Sequence, residues 1–190
     1  MVPKVTGRAY RSAWKIHKEE WGKCTKCPLH EFSHHRVLVA GSLPCDILFI
    51  GESPNKVEDI TGLPFLGPAG GIIHQMIKEI TVEFTYAMTK LIACMALDKD
   101  ESCRPPNEDE VASCSDRLYS TLMMARPSGI VVLGDLVKEY SFPVLKKYKN
   151  AYNLLHLSDP PTILHQGGVE CDLYRIELDR LNDFIEETIK

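Results

Sequence analysis

No apolar run in this sequence approaches the length of a membrane-spanning helix, and the opening MVPKVTGRAY lacks the apolar stretch of a secretion signal. Together these absences make a cytoplasmic protein without a membrane partner the expectation. Internal repeats and low-complexity tracts are also missing. No linker is long enough to divide the chain, so residues 1–190 are expected to form one domain. Charge of one sign is not in excess: a net charge of −4 excludes wholesale coating of a polyanion and leaves room only for a local basic stripe. Arg8, Arg11, Lys15, Lys18, Lys23 and Lys26 are candidates for such a stripe, or else form a solvated helix face.

What the sequence does hold is a hydrophobic content of 44%, which suits a globular core, and seven cysteines. An odd number of cysteines with one CxxC pair, Cys24-Thr25-Lys26-Cys27, reads in a reducing compartment as metal or redox chemistry rather than a disulfide framework. CxxC lets two thiolates share one metal or take two corners of a cluster.

The stretch from Ile47 to Met76 organises the rest. Ile47-Leu48-Phe49-Ile50 is the continuous apolar run of a strand buried on both faces, ended by Gly51. Ligands bind at the C-terminal edge of open parallel sheets, and Glu52, Glu58 and Asp59 bring three carboxylates there. Phe65, between Pro64 and Gly67, is expected on an exposed loop as a flat platform for a base. Pro68-Ala69-Gly70-Gly71 reads as a turn that allows close backbone approach. Ile72, Ile73, Met76, Ile77 and Ile80 then give helical spacing, with the helix N-terminus suited to a phosphate. An ordinary strand-turn-helix with solvated carboxylates has the same pattern.

Elsewhere, residues 6–20 carry Tyr10, Trp14 and Ile16 at helical spacing, broken at Gly22. Residues 37–40 read as a strand, with Gly41-Ser42-Leu43-Pro44 as the turn into the next. TYAMTKLIA is an apolar segment ending at Cys94. Asn107 is placed to cap a helix holding Cys114 and Leu118, with Glu108, Asp109 and Glu110 at its positive end. Residues 129–134 and 152–155 are two more strands, the latter ending at His156. A helix with Leu173, Leu181 and Ile185 on its apolar face closes the chain. Strands alternating with helices imply a parallel sheet.

GESPNKVEDITGLPFLGPAGG is similar to the first signature of the iron-sulfur uracil-DNA glycosylases, G-E-x-P-G-x-x-E-D-x-x-G-x-P-F-x-G-x-A-G, and the resemblance runs from CTKCPLH to the final helix. It implies a three-layer α/β/α sandwich around a central, mainly parallel four-stranded sheet. It also implies a monomeric enzyme that hydrolyses the N-glycosidic bond of uracil or a related base flipped from single- or double-stranded DNA. A 4Fe-4S cluster is implied on Cys24, Cys27 and Cys114, with Cys94 preferred over Cys103 as the remaining ligand because a sheet fixes strand position while loop length varies. Structural zinc at the same thiolates is the competing reading.

In this frame Glu52 positions the attacking water, since Ser53 stands where the fastest relatives carry aspartate. Phe65 stacks on the base, and His156, matching the histidine of the second signature H-P-S, donates to the base oxygen as charge builds there. His165 is its rival. Ser53 and Asn55 are assigned to base or DNA contacts and Ser158 to the DNA backbone. Two departures stand out. Leu157 replaces the signature proline and Asp159-Pro160-Pro161 lengthens the loop. Lys90 occupies the place of the base-reading asparagine, and lysine only donates. That leaves Lys90 to stabilise the leaving base, to read another base, to form a Schiff base, or to face phosphate or solvent. A catalytically weak or inactive DNA- or protein-binding module that lost uracil readout at Lys90 is therefore the alternative function.

Overall fold

A computed structural model describes residues 4–5, 7–98 and 102–190. Its elements in chain order are β1 (Lys4–Val5), α1 (Arg8–Trp21), β2 (Ala40–Leu43), β3 (Ile47–Gly51), α2 (Lys56–Thr61), α3 (Pro68–Glu79), β4 (Tyr86–Lys90), α4 (Glu108–Ala125), β5 (Gly129–Leu133), α5 (Asp135–Lys147), β6 (Asn153–Leu157), α6 (Pro160–His165) and α7 (Asp172–Ile189).

The sheet order is β1-β2-β4-β3-β5-β6. Strands β4, β3, β5 and β6 are mutually parallel and form the expected four-stranded centre. Two further strands extend it: β2 runs antiparallel to β4, and the short β1 pairs with β2.

Alternate residues of the buried strands feed two separate cores, as the period of two requires. Leu48, Ile50, Ile130 and Val132 pack with Leu118 and Leu122 of α4 and with Val137 and Val144 of α5. Ile47, Phe49, Val131 and Leu133 pack on the opposite face with Ile73 and Met76 of α3, Ile163 of α6 and Leu181 and Ile185 of α7. Helices on both faces of a central sheet make the three-layer sandwich that the resemblance implies.

Local readings shift in four places. Gly41-Ser42-Leu43 is strand β2 rather than a turn, because pairing with Ala87 and Met88 holds it extended. Pro68-Ala69-Gly70-Gly71 is the first turn of α3, with proline at its favoured entry position. Strand β4 ends at Lys90, so Cys94 lies four residues beyond the sheet. Strand β6 continues through His156 and Leu157, paired with Val132 and Leu133, so His156 is a strand residue and not a strand end.

Candidate functional site

A cleft of about 320 Å³ opens at the C-terminal ends of β3 and β4. Gly51 and Lys90 are paired across these strands, which sets the Lys90 side chain beside the residues that leave β3. Glu52, Ser53, Asn55, Phe65 and Lys90 line it, together with Arg104, Pro105 and Asp159.

One buried carboxylate organises the cleft. Glu58, 1% exposed, accepts the backbone N–H groups of Asn55 and Phe65, and its Oε1 lies 3.0 Å from Lys90 Nζ. The bond to Asn55 is half of a capping box: Asn55 Oδ1 accepts from Val57 and Glu58 of α2, while its Nδ2 donates to the Leu66 carbonyl at 2.9 Å. Asn55 thus ties the start of α2 to the Phe65 loop.

Phe65 corrects the expectation of an exposed platform. It is 2% exposed, and Lys90 Nζ stands 4.4 Å from its ring centroid. Its backbone has φ 59, a left-handed conformation unusual for an aromatic residue. Glycine makes room for the packing, because a β-carbon at Gly51 would stand 2.9 Å from Phe65 Cζ, and one at Gly70 would strike the Phe65 carbonyl.

Burial lowers the Lys90 pKa from its ordinary value, opposed by the attraction of Glu58 and Glu52. Glu52 moves the other way. Burial raises its pKa and Asp159 raises it further, against the pull of Lys90 and a hydrogen bond with Ser53. The cleft therefore holds a carboxylate, Glu52, that is raised above its usual range and has no ion pair among the described residues, together with Lys90, which Glu58 pairs.

Other residues singled out in the sequence lie elsewhere. Asp59, 1% exposed, accepts from the His34 backbone and approaches its Nδ1 at 2.8 Å, so it anchors the segment before β2. His156 does not line the cleft; its Nε2 approaches Asp135 Oδ1 at 3.3 Å at the start of α5. The Ser158 hydroxyl donates to buried Glu177 at 2.6 Å. His165 ends α6 as an exposed residue.

The cleft also recruits Arg104, whose guanidinium grips Glu110 with Nη1 and Nη2 at 2.9 and 2.6 Å, and Asp159, which caps α6. The sequence reading misses Arg104; Cys-Arg-Pro-Pro before a capped helix is the local signal that could have found it. Nothing local signalled that Asp159 would face Glu52.

On the α1 and α4 side, Cys24, Cys27, Cys94 and Cys114 line a second, enclosed cavity together with Arg36 and Arg117. Cys103 instead lines the cleft as an exposed residue. Burial pushes the Cys94 thiol up to about 11 and raises that of Cys27. Among the described residues, no three His, Cys, Asp or Glu side chains are grouped to hold a single metal ion.

The model of the uracil DNA glycosylase superfamily matches residues 39–176, well over half of the chain. The chain belongs to this superfamily. Named type-4 uracil-DNA glycosylases are among its relatives. That of Sulfurisphaera tokodaii is 36% identical over 137 residues, 66% of this chain and 56% of that protein. The protein of Archaeoglobus fulgidus is 34% identical over 121 residues, 63% of this chain and 58% of that one. In Thermotoga maritima the figures are 34% over 125 residues, 63% and 61%. The chain spans a little over half the length of these relatives. Among solved structures, SMUG2 of Pedobacter heparinus superposes with a TM-score of 0.57 at 12% identity over 74% of each chain, a likeness of fold.

The superfamily match contains every cleft residue named above, with Cys94 and Cys114. Cys24 and Cys27 precede it. No helix among the described residues is long and apolar enough to cross a membrane.

Proposed function

We propose that this chain is a DNA glycosylase that hydrolyses the N-glycosidic bond of uracil or a related deaminated base flipped out of DNA. The observation that carries the reading is the convergence of Glu52, Phe65 and Lys90 in one cleft at the edge of a uracil DNA glycosylase superfamily sheet. Such a reaction passes through an oxocarbenium-like sugar and a departing base anion. Ionised Glu52 holds the attacking water and faces the developing positive charge. Phe65 forms the apolar wall of the base pocket. Lys90, pinned by Glu58, donates to the base oxygen on which negative charge accumulates; a donor already in place costs no reorganisation when the bond breaks.

Cys24, Cys27, Cys94 and Cys114 supply the four thiols that a 4Fe-4S cluster would take, as the family resemblance implies; structural zinc would take the same four. Their cavity is lined by all four thiols and by two guanidiniums, whose positive charge suits a group held by thiolates. A cubane spreads its ligands over four corners, and thiols pushed up by burial need bound metal to become thiolates. Held by these cysteines, a cluster would serve structurally, tying together the CxxC loop, the segment after β4 and α4.

One observation favours a second reading, a glycosylase-fold binding module: His156 stands outside the cleft. Excision assays decide between them, on single- and double-stranded DNA carrying uracil, hypoxanthine, xanthine or hydroxymethyluracil. Release of at least one free base, lost in Glu52→Gln, is the expected result. DNA binding without release of any base would leave the binding module.

A further inference from the structure

Arg117 lies on α4 one turn after Cys114 and is 1% exposed, among the largest fully buried side chains. Its Nε donates to Cys114 Sγ at 3.4 Å and its Nη1 to Thr89 Oγ1 at 3.1 Å. Its Nη2 donates to the carbonyl of Lys90 and, at 2.9 Å, to that of Leu91. Every oxygen it touches is neutral. Among the described residues it forms no salt bridge with a carboxylate, unlike Lys90 or Arg104. Arg36 shares this condition: it lines the same cavity and is held by the carbonyls of Cys24 at 3.0 Å and Ser33 at 3.2 Å.

A buried cation without a counter-charge is strongly unfavourable, whereas one beside a permanent anion is not. Four thiolates on an iron-sulfur cluster constitute such an anion, and among the hydrogen-bond partners of Arg117 in the described residues the sulfur of Cys114 is the atom able to carry negative charge. A neutral amide would suffice to bridge carbonyls and a hydroxyl. The planar fork explains the choice of arginine, since it reaches sulfur, hydroxyl and two carbonyls in separate directions. We propose that Arg117 is an outer-sphere positioning residue of the cluster, one that balances its negative charge and sets both its retention and its reduction potential. The inference rests on the cluster reading above.

Wild type, Arg117→Lys and Arg117→Gln, purified without oxygen, are compared for iron and sulfide per chain, for iron release to an added chelator, and for midpoint potential by redox titration of the cluster signal. Arg117→Gln is expected to release iron about 10–100-fold faster, the usual loss when an outer-sphere partner of a metal ligand is removed. Its potential is expected to fall, because removing a positive charge penalises the more negative, reduced cluster. Arg117→Lys keeps the charge but loses the fork, so its release rate should lie between the two and its potential nearer to wild type. Wild-type release and wild-type potential in both variants would overturn the assignment, since a merely structural bridge leaves the potential unmoved. If Arg117→Gln fails to accumulate, Arg117→Lys decides alone: faster release together with a shifted potential supports the role, and an unchanged potential refutes it. Iron-free wild type would overturn the cluster reading itself, a result separate from either.

Discussion

The cleft and the thiol-lined cavity stand at opposite ends of the same short segment, Lys90 to Cys94, and balance charge in opposite ways. In the cleft each buried or half-buried cation has its own carboxylate: Lys90 has Glu58 and Arg104 has Glu110. Around the cavity Lys26 pairs with Asp116, but Arg36 and Arg117 have, among the described residues, only carbonyls, a hydroxyl and sulfur as hydrogen-bond partners. A site whose cations are already paired, with Glu52 left without an ion pair among the described residues, suits a neutral ligand that develops positive charge only in a transition state. A site with uncompensated cations suits a resident anion. The difference is the one that the proposed reaction cleft and the proposed cluster site would require.

The largest expected effect lies at the cage. Cys94→Ala should abolish the absorption of the cluster and lower iron to the level of contaminants, whereas Cys103→Ala should retain both, because Cys103 lies at the cleft. Metal analysis and visible spectra of the two proteins check this. Retention in Cys94→Ala with loss in Cys103→Ala would exchange their roles and blur the contrast between the two regions.

Next in size is the free carboxylate. Glu52→Gln should lower single-turnover excision by about 10²–10⁴-fold, the usual worth of a positioned general base. Its raised pKa also predicts the direction of the pH profile. Glu52 must be ionised to hold water, so the rate falls as pH drops through its folded pKa, and this limb should lie above the usual carboxylate range. Asp159→Asn removes a negative neighbour while leaving a competent helix cap, so it should move the limb to lower pH. An acid limb that ignores both substitutions would transfer the role to another group.

Glu58 tests the paired side of the comparison. Glu58→Ala leaves Lys90 buried without its anion and removes the acceptor for the Asn55 and Phe65 N–H groups. Loss of one member of a buried pair costs about 3–5 kcal/mol, visible as a lower urea midpoint. A change below about 1 kcal/mol would mean that the cleft is not held by this hub.

The contrast between Glu52 and Glu58 also shows what was legible beforehand. Both carboxylates sit in one signature, and their local sequence cannot say that one is free and the other spent. That depends on Lys90, which only strand pairing brings to Gly51. Phe65 was misjudged for the same reason: its ring looks stranded on a loop until Gly51 and Lys90 close over it. The parallel centre of the sheet was readable because strands buried on both faces leave continuous apolar runs, as at residues 47–50 and 129–133. Strand β2 was misplaced because its alanine, glycine, serine and leucine carry little strand preference, and pairing with β4 imposes the conformation.

The smallest effect is expected at His156, where motif and geometry diverge. The H-P-S resemblance assigns it the donor to the leaving base, a role whose loss would cost about 10²–10³-fold. The strand register instead pairs it with Val132 and turns its ring toward Asp135, outside the cleft. With Lys90 as the donor, His156→Ala should therefore lower single-turnover excision by less than about tenfold, or 1.4 kcal/mol. DNA affinity should be unchanged. Asp135→Asn serves as the control, since 96% of its side chain is exposed and it approaches the ring at 3.3 Å. A hundredfold loss in His156→Ala, with Asp135→Asn silent, would show that the loop from Ser158 to Pro161 rearranges around DNA and swings the histidine into the cleft. Lys90 would then be a fixed charge under the base rather than its donor.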